Sequence, residues 1–300
     1  MAMSHRRAVV VMTAAAMMWS IAGVVSRQLE AAQGFEMTFW RSAFNALALI
    51  ALLSWLRGPR ALVASIAGGG RALWLSSVCW CVMFTAFMVA ISLTTVANVL
   101  VTLAVAPLFT SLTARLVLGH RLAARTWLAI ALAGIGIAWM YGHEVSGAEP
   151  RHLLGTAVAL AVPVAAAINW TLLQHLRGKS DAASDMLPAV LIGALLSSLL
   201  TLPLSLPFAA THVDLAWLAL LGVFQLAIPC LMAVAAARVL PAPENSLLSL
   251  LEVLFGVLWA WLGAGEAPSV AVLGGGALVL GALVLNESLA LRERATSSRQ

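Results

Sequence analysis

The chain has 300 residues, 62% hydrophobic and 10% charged, whereas soluble globular domains run roughly 45 to 50% apolar and about 25% charged. This excludes a soluble domain, a disordered chain and a disulfide-built secreted scaffold. The net charge of +5 comes from scattered arginines rather than a basic patch of the kind that grips nucleic acid.

A helix needs roughly 20 apolar residues to cross about 30 Å of hydrocarbon. Ten stretches of that order follow one another, near 8–26, 36–56, 72–92, 95–114, 126–142, 153–174, 186–207, 215–237, 245–265 and 267–286. The first is preceded by Arg6 and Arg7 but is too long for a signal-peptide core, and no soluble domain follows it to be exported. Residues 72–114 form an uncharged run too long for one crossing, and Ser92, Thr94, Thr95 and Asn98 mark its turn. Residues 186–213 are too short for two crossings despite Pro188, Pro203 and Pro207, and count as one. Continuous hydrophobicity instead of period-two alternation excludes a β-barrel. The expectation is an all-α integral membrane protein of ten transmembrane helices. Cys79, Cys81 and Cys230 sit inside apolar runs as small hydrophobes. No His, Cys or carboxylate spacing suits a metal.

Orientation follows from Lys and Arg in the short loops. With the N-terminus in the cytoplasm, inside segments hold Arg6, Arg7, Arg57, Arg60, Arg71, Arg115, Arg121, Arg125, Arg177, Lys179, Arg238, Arg292, Arg294 and Arg299, against Arg27 and Arg151 outside. Both termini are therefore expected to be cytoplasmic.

A shift of 146 residues lays Leu100–His120 on Ser246–Glu266, with six identities, among them Leu108/Leu254, Phe109/Phe255 and Gly119/Gly265. The matched spans, the fourth and ninth, are five apart, so they cross in opposite directions. Two inverted five-helix repeats, 1–145 and 146–290, with a polar cytoplasmic tail at 291–300, are the plan of many secondary transporters, whose substrates bind near the midplane between the halves.

At these residues, Pro107 through His120 and Leu251-Glu252-Val253 through Glu266, the chain resembles the paired EamA signatures of the drug/metabolite transporter superfamily. More narrowly it is similar to bacterial YddG-type exporters of aromatic amino acids. His120 stands where the first repeat of that family usually has Glu, and Val253 where the second usually has Pro, so the ninth span is expected to lack a kink beside Glu252. The resemblance implies a central cavity lined by spans one to four and six to nine, with spans five and ten peripheral.

Polar groups at membrane depth are costly and therefore candidates for function. Glu252, near mid-membrane, suits a substrate ammonium or a coupling proton, or else a hydrogen bond to a neighbouring helix. Arg41 lies within snorkelling reach of the outer surface, which is favoured over a contact to a substrate carboxylate. Asn45, one turn deeper, suits either a substrate contact or a helix–helix bond. Asn98 fits a carboxylate site or an N-cap, and Glu244 is expected to cap its helix at the inner surface. Of eleven tryptophans, Trp40, Trp55, Trp74, Trp127, Trp139 and Trp217 read as an interfacial belt. Trp19 and Trp80, with Phe84 a turn after Trp80, lie deeper, and Trp170 and Trp259 at intermediate depth; each suits either stacking on a substrate or helix packing. Gln225 is a further binding candidate, and Pro107, Pro163 and Pro229 are kinks or hinges. Gly134, Gly136, Gly274, Gly275, Gly276 and Gly281 allow close helix approach within a monomer or across a homodimer.

No nucleotide-binding loop or catalytic triad stands out, so neither an ATP-driven pump nor an enzyme is expected. The expected activity is export of small amphipathic metabolites across a bacterial inner membrane by alternating access, without a cofactor and with possible proton coupling. Aromatic amino acids are preferred on the resemblance. A mostly apolar cavity with few polar anchors, independently, suits a large hydrophobic side chain. The alternatives are a multidrug or purine-metabolite exporter, or an intramembrane enzyme on lipid-linked substrates. The expected partners are the substrate and membrane lipid, with no nucleic acid.

Overall fold

A computed structural model of the chain describes residues 3–26, 28–32, 34–94, 96–103, 105–119, 123–141, 150–176, 185–264 and 270–297. His120, Thr95, Arg27, Gly265 and Glu266 fall outside the described residues. The described residues are helices and the turns between them: α1 (His5–Trp19), α2 (Ala22–Ser26), α3 (Gly34–Arg57), α4 (Pro59–Ala67), α5 (Arg71–Leu93), α6 (Val96–Leu103), α7 (Ala106–Leu118), α8 (Ala124–Tyr141), α9 (Pro150–His175), α10 (Leu187–Thr201), α11 (His212–Leu220), α12 (Ile228–Ala237), α13 (Ala242–Ser249), α14 (Leu251–Ala264) and α15 (Val270–Ser297). A π-helical turn, Leu221–Ala227, joins α11 to α12. Among the described residues, six segments are long and apolar enough to cross a membrane: His5–Ser26, Gly34–Arg57, Arg71–Leu93, Leu153–His175, Leu187–Leu204 and His212–Ala237. Ala106–Leu118, Ala124–Gly136 and Leu273–Ala282 are shorter apolar helices.

The 146-residue shift found in the sequence also relates the helices. It carries Val96–Leu103 onto 242–249, the bounds of α13, and α7 onto α14 to within one residue. Thus the fourth and ninth stretches are each broken at the same register, around Val105 and at Leu250. This corrects the expectation that the ninth span lacks a kink. The break needs no proline, because Leu250 closes α13 with a tight turn, its N–H reaching the Leu247 and Leu248 carbonyls.

Packing is shared between the halves. Helix α1 lies on α12, and its shifted counterpart α9 lies on α5; α3 packs on α10, α7 on α13, and α8 on α15. The first two contacts exchange under the shift, those of α3 with α10 and of α8 with α15 map onto themselves, and that of α7 with α13 joins the fourth stretch to the ninth, which is the pattern of a two-fold arrangement. Buried hydroxyls and amides join the halves: Ser76 Oγ donates to Asn169 Oδ1 (2.6 Å), Ser197 Oγ lies 2.9 Å from both Ser42 Oγ and Thr85 Oγ1, and Thr110 Oγ1 donates to Ser246 Oγ (3.2 Å). Such bonds hold apolar helices together where lipid supplies no hydrophobic force between them. Small residues let the backbones close. At Gly136 a Cβ would meet the Gly275 carbonyl at 2.6 Å, whereas Gly134, Gly274 and Gly281 face open space.

Acidic side chains hold the two ends. At one, Asp185 pairs with Arg57 and Arg238, and His5 Nε2 lies 3.0 Å from Glu244 Oε1. Glu244 is not a cap at the surface as expected. It is buried in the first turn of α13, whose cap position is Pro241, because α1, α7 and α9 cover that end of the helix. At the other end Glu36 accepts the Ala209 and Ala210 backbone N–H groups, while Asp214 accepts four, from Glu30, Ala31, Ala32 and Thr211. Two further elements extend past the predicted spans. Helix α4, following Gly58 with its positive φ of 85°, has no counterpart under the shift, and α15 continues helical through Ser297.

Candidate binding cavity

A cavity of about 820 Å³, its open mouth included, lies between the halves. Its wall is aromatic, formed by Trp19, Trp80, Phe84, Phe87 and Trp170, with Arg41, Gln225, Glu252 and Ser249 as polar members. Both helix breaks reach it, through Leu103 and Ala106 on one side and Ser249, Leu250, Glu252 and Val253 on the other. No described side chain of α8 or α15 lines it.

The aromatic wall is built across three helices, α1 giving Trp19, α5 giving Trp80, Phe84 and Phe87, and α9 giving Trp170. Helical spacing stacks Phe84 one turn beyond Trp80, with ring centroids 5.5 Å apart, and Trp170 of α9 meets Trp80 edge-on at 5.8 Å and 88°. That edge-to-face arrangement suits the ring quadrupoles. The approach of α10 behind Trp80 depends on Gly193, where a Cβ would lie 2.5 Å from the Trp80 Cβ.

The polar end is built on α3. Thr38, Arg41, Ser42 and Asn45 recur at helical spacing and all are buried, while Leu47 and Ile50 take the exposed face. Arg41 therefore does not snorkel. It is 3% exposed and points inward. Its Nε and Nη2 donate to Gln225 Oε1 at 3.1 and 2.9 Å, and its guanidinium carbon stands 5.7 Å from the Phe87 ring centre. Gln225 Nε2 in turn donates to the Trp19 carbonyl (3.1 Å), just before α1 breaks at Ser20. Gln225 occupies the π-helical turn, and Pro229, four residues on, has no N–H to return to the Gln225 carbonyl.

The cavity thus gathers Trp19, Trp80, Phe84, Trp170, Gln225, Glu252 and Pro163. It does not gather Asn45, buried but off the wall, or Trp259, whose indole N–H donates to Ser20 Oγ (2.8 Å) behind the break in α1. Pro107 and Pro229 sit in the first turns of α7 and α12, off the wall, and only Pro163 interrupts a helix from within. Asn98 lies in the first turn of α6, and its side chain falls outside the described part of the structure. Phe87, Met83 and Cys230 line the wall without having been singled out in the sequence. Phe87 follows Trp80 and Phe84 along one face of α5, so helical spacing alone would have found it.

Two like-folded halves around a shared cavity are the plan of many secondary transporters. The chain belongs to the EamA-like transporter family, which it matches twice, over residues 6–142 and 153–287. A solved crystal structure is similar over 96% of this chain and 99% of its own, with a TM-score of 0.79 at 17% identity, a likeness of fold. No curated protein sequence matches the chain. It is a multi-pass membrane protein of a family that transports small molecules.

Proposed function

We propose that the chain exports small amphipathic metabolites, aromatic amino acids foremost, across a bacterial inner membrane by alternating access through ten spans with both termini cytoplasmic. The observation that carries this reading is the wall of Trp19, Trp80, Phe84, Phe87 and Trp170 ending in Arg41, Gln225 and Glu252. Five rings supply a surface for an aromatic side chain, and the charged end supplies partners for a polar head group. The helix breaks flank the cavity, as in other transporters that bind at discontinuous helices. The substrate and lipid are the partners of this reading, and Glu252 is the residue that carries a coupling proton.

Purified protein in liposomes is expected to carry labelled phenylalanine or tryptophan faster than aspartate, and to respond to a pH gradient; equal fluxes for all three amino acids would defeat the substrate preference. In Glu252→Gln, flux is expected to lose its response to the gradient, and an unchanged response would remove the coupling role. The wall is tested separately. Trp19→Ala and Trp80→Ala are each expected to lower phenylalanine flux about tenfold, the equivalent of roughly 1.4 kcal/mol, at matched expression. Trp55→Ala, which removes a ring 82% exposed, is expected to leave flux unchanged.

A further inference from the structure

A guanidinium is costly to bury without an anion beside it, and Arg41 is buried with none in contact. Its hydrogen-bond partner is the neutral amide of Gln225, and among the described residues no ion pair joins it to Glu252, although both line the same cavity. Arginine has five N–H donors in a planar fork. The edge made by Nε and one Nη2 hydrogen is taken by Gln225 Oε1, which the Trp19 carbonyl orients through Nε2. The opposite edge, Nη1 with the second Nη2 hydrogen, has no protein acceptor among the described residues. That free edge has the spacing of a carboxylate's two oxygens.

We propose that Arg41 is the specificity-determining residue of this cavity, gripping a carboxylate on the transported molecule with its free edge while Gln225 holds the other edge in place. Glu252, once it has released the coupling proton, supplies the opposite charge for an ammonium, so the ligand is a zwitterion with an apolar side chain, and an amine lacking the carboxylate is a poor substrate. This rests on the reading that the cavity is the transport site, but not on the ligand being aromatic.

The test is a liposome flux panel of phenylalanine, leucine, 2-phenylethylamine and phenylalaninamide, run on the wild type, Arg41→Gln and Arg41→Lys, with each variant shown monodisperse and given a thermal melt. The wild type is expected to prefer phenylalanine over both amines at least tenfold. Arg41→Gln is expected to lose that preference, its phenylalanine flux falling to the level of the amines. Arg41→Lys keeps the charge without the fork, and is expected to raise the phenylalanine KM several-fold while retaining some preference. A role limited to folding would lower all four fluxes together and leave their ratios unchanged, and that result would overturn the proposal even if Arg41→Gln fails to fold, because Arg41→Lys still reads the ratio. Equal wild-type carriage of phenylalanine and 2-phenylethylamine would overturn it while leaving aromatic export standing. Leucine carriage that depends on Arg41, with no phenylalanine carriage, would uphold it and defeat the aromatic preference. No flux of any of the four would defeat both.

Discussion

Gly222→Val is expected to abolish the folded protein or to lower its melting temperature in detergent beyond any other single substitution at a glycine facing α3. Gly222 lies in the π-helical turn where it crosses α3. A Cβ there would stand 2.6 Å from the Phe44 Cβ, 2.7 Å from the Arg41 carbonyl oxygen and 2.8 Å from the Asn45 nitrogen. Two of those three atoms are backbone and cannot turn aside, so the helices must part. Overpacking of this kind costs about 1–3 kcal/mol and sometimes more. The parted helices are those that carry Arg41 and Gln225, so transport is lost with stability. Gly134→Ala is the control. Nothing lies within 4 Å of its Cβ position, and alanine favours the helix by up to about 1 kcal/mol. A Gly222→Val protein that melts like the wild type would show that the crossing is looser than described.

Asp214→Ala is the second large effect. Oδ1 accepts the Glu30 N–H at 2.7 Å, and Oδ2 accepts those of Ala31, Ala32 and Thr211, each at 3.1 Å. The Thr211 side chain completes a capping box by accepting the Asp214 N–H. Alanine leaves four donors around a fully covered position, and each one left without a partner costs about 1–3 kcal/mol. Asp214→Asn is expected to fall between: turned so that its amide nitrogen takes the Oδ1 position, it faces one donor instead of three. Thermal melts should therefore rank wild type above Asn and Asn above Ala. Equal melting of wild type and Asp214→Ala would mean that water serves those four groups as well as the carboxylate does.

Much of this architecture was legible because a membrane enforces it. Apolar length marks the long helices, and the 146-residue correspondence between Leu108/Leu254 and Phe109/Phe255 already placed the two broken segments in one register. The aromatic wall was legible in part, since Trp19, Trp80, Phe84 and Trp170 sit away from the ends of their apolar runs. Arg41 was misread because distance from the membrane surface was weighed and its face was not. Thr38, Ser42 and Asn45 on the same side of α3 mark that face as polar and inward. The break at Leu250 is not legible in the sequence because no proline marks it: a tight turn made by ordinary residues ends α13. Asp214 was legible as a residue at a helix end. Its grip on residues 30–32 was not, because nothing local in either segment records a partner more than 180 positions away.

The interleaving of the halves also sets an order on biosynthesis. Helices α1 and α3 enter the membrane first, yet the surfaces that cover them belong to α12, α10 and the turn that carries Gln225. At a translation rate of about 5–20 residues per second, the 184 positions separating Arg41 from Gln225 amount to roughly 10 to 40 s. Throughout that interval a charged side chain waits at membrane depth for the amide that will hold it, so the nascent N-terminal half depends on the insertion machinery, or on water drawn to the guanidinium, until the ribosome has nearly finished.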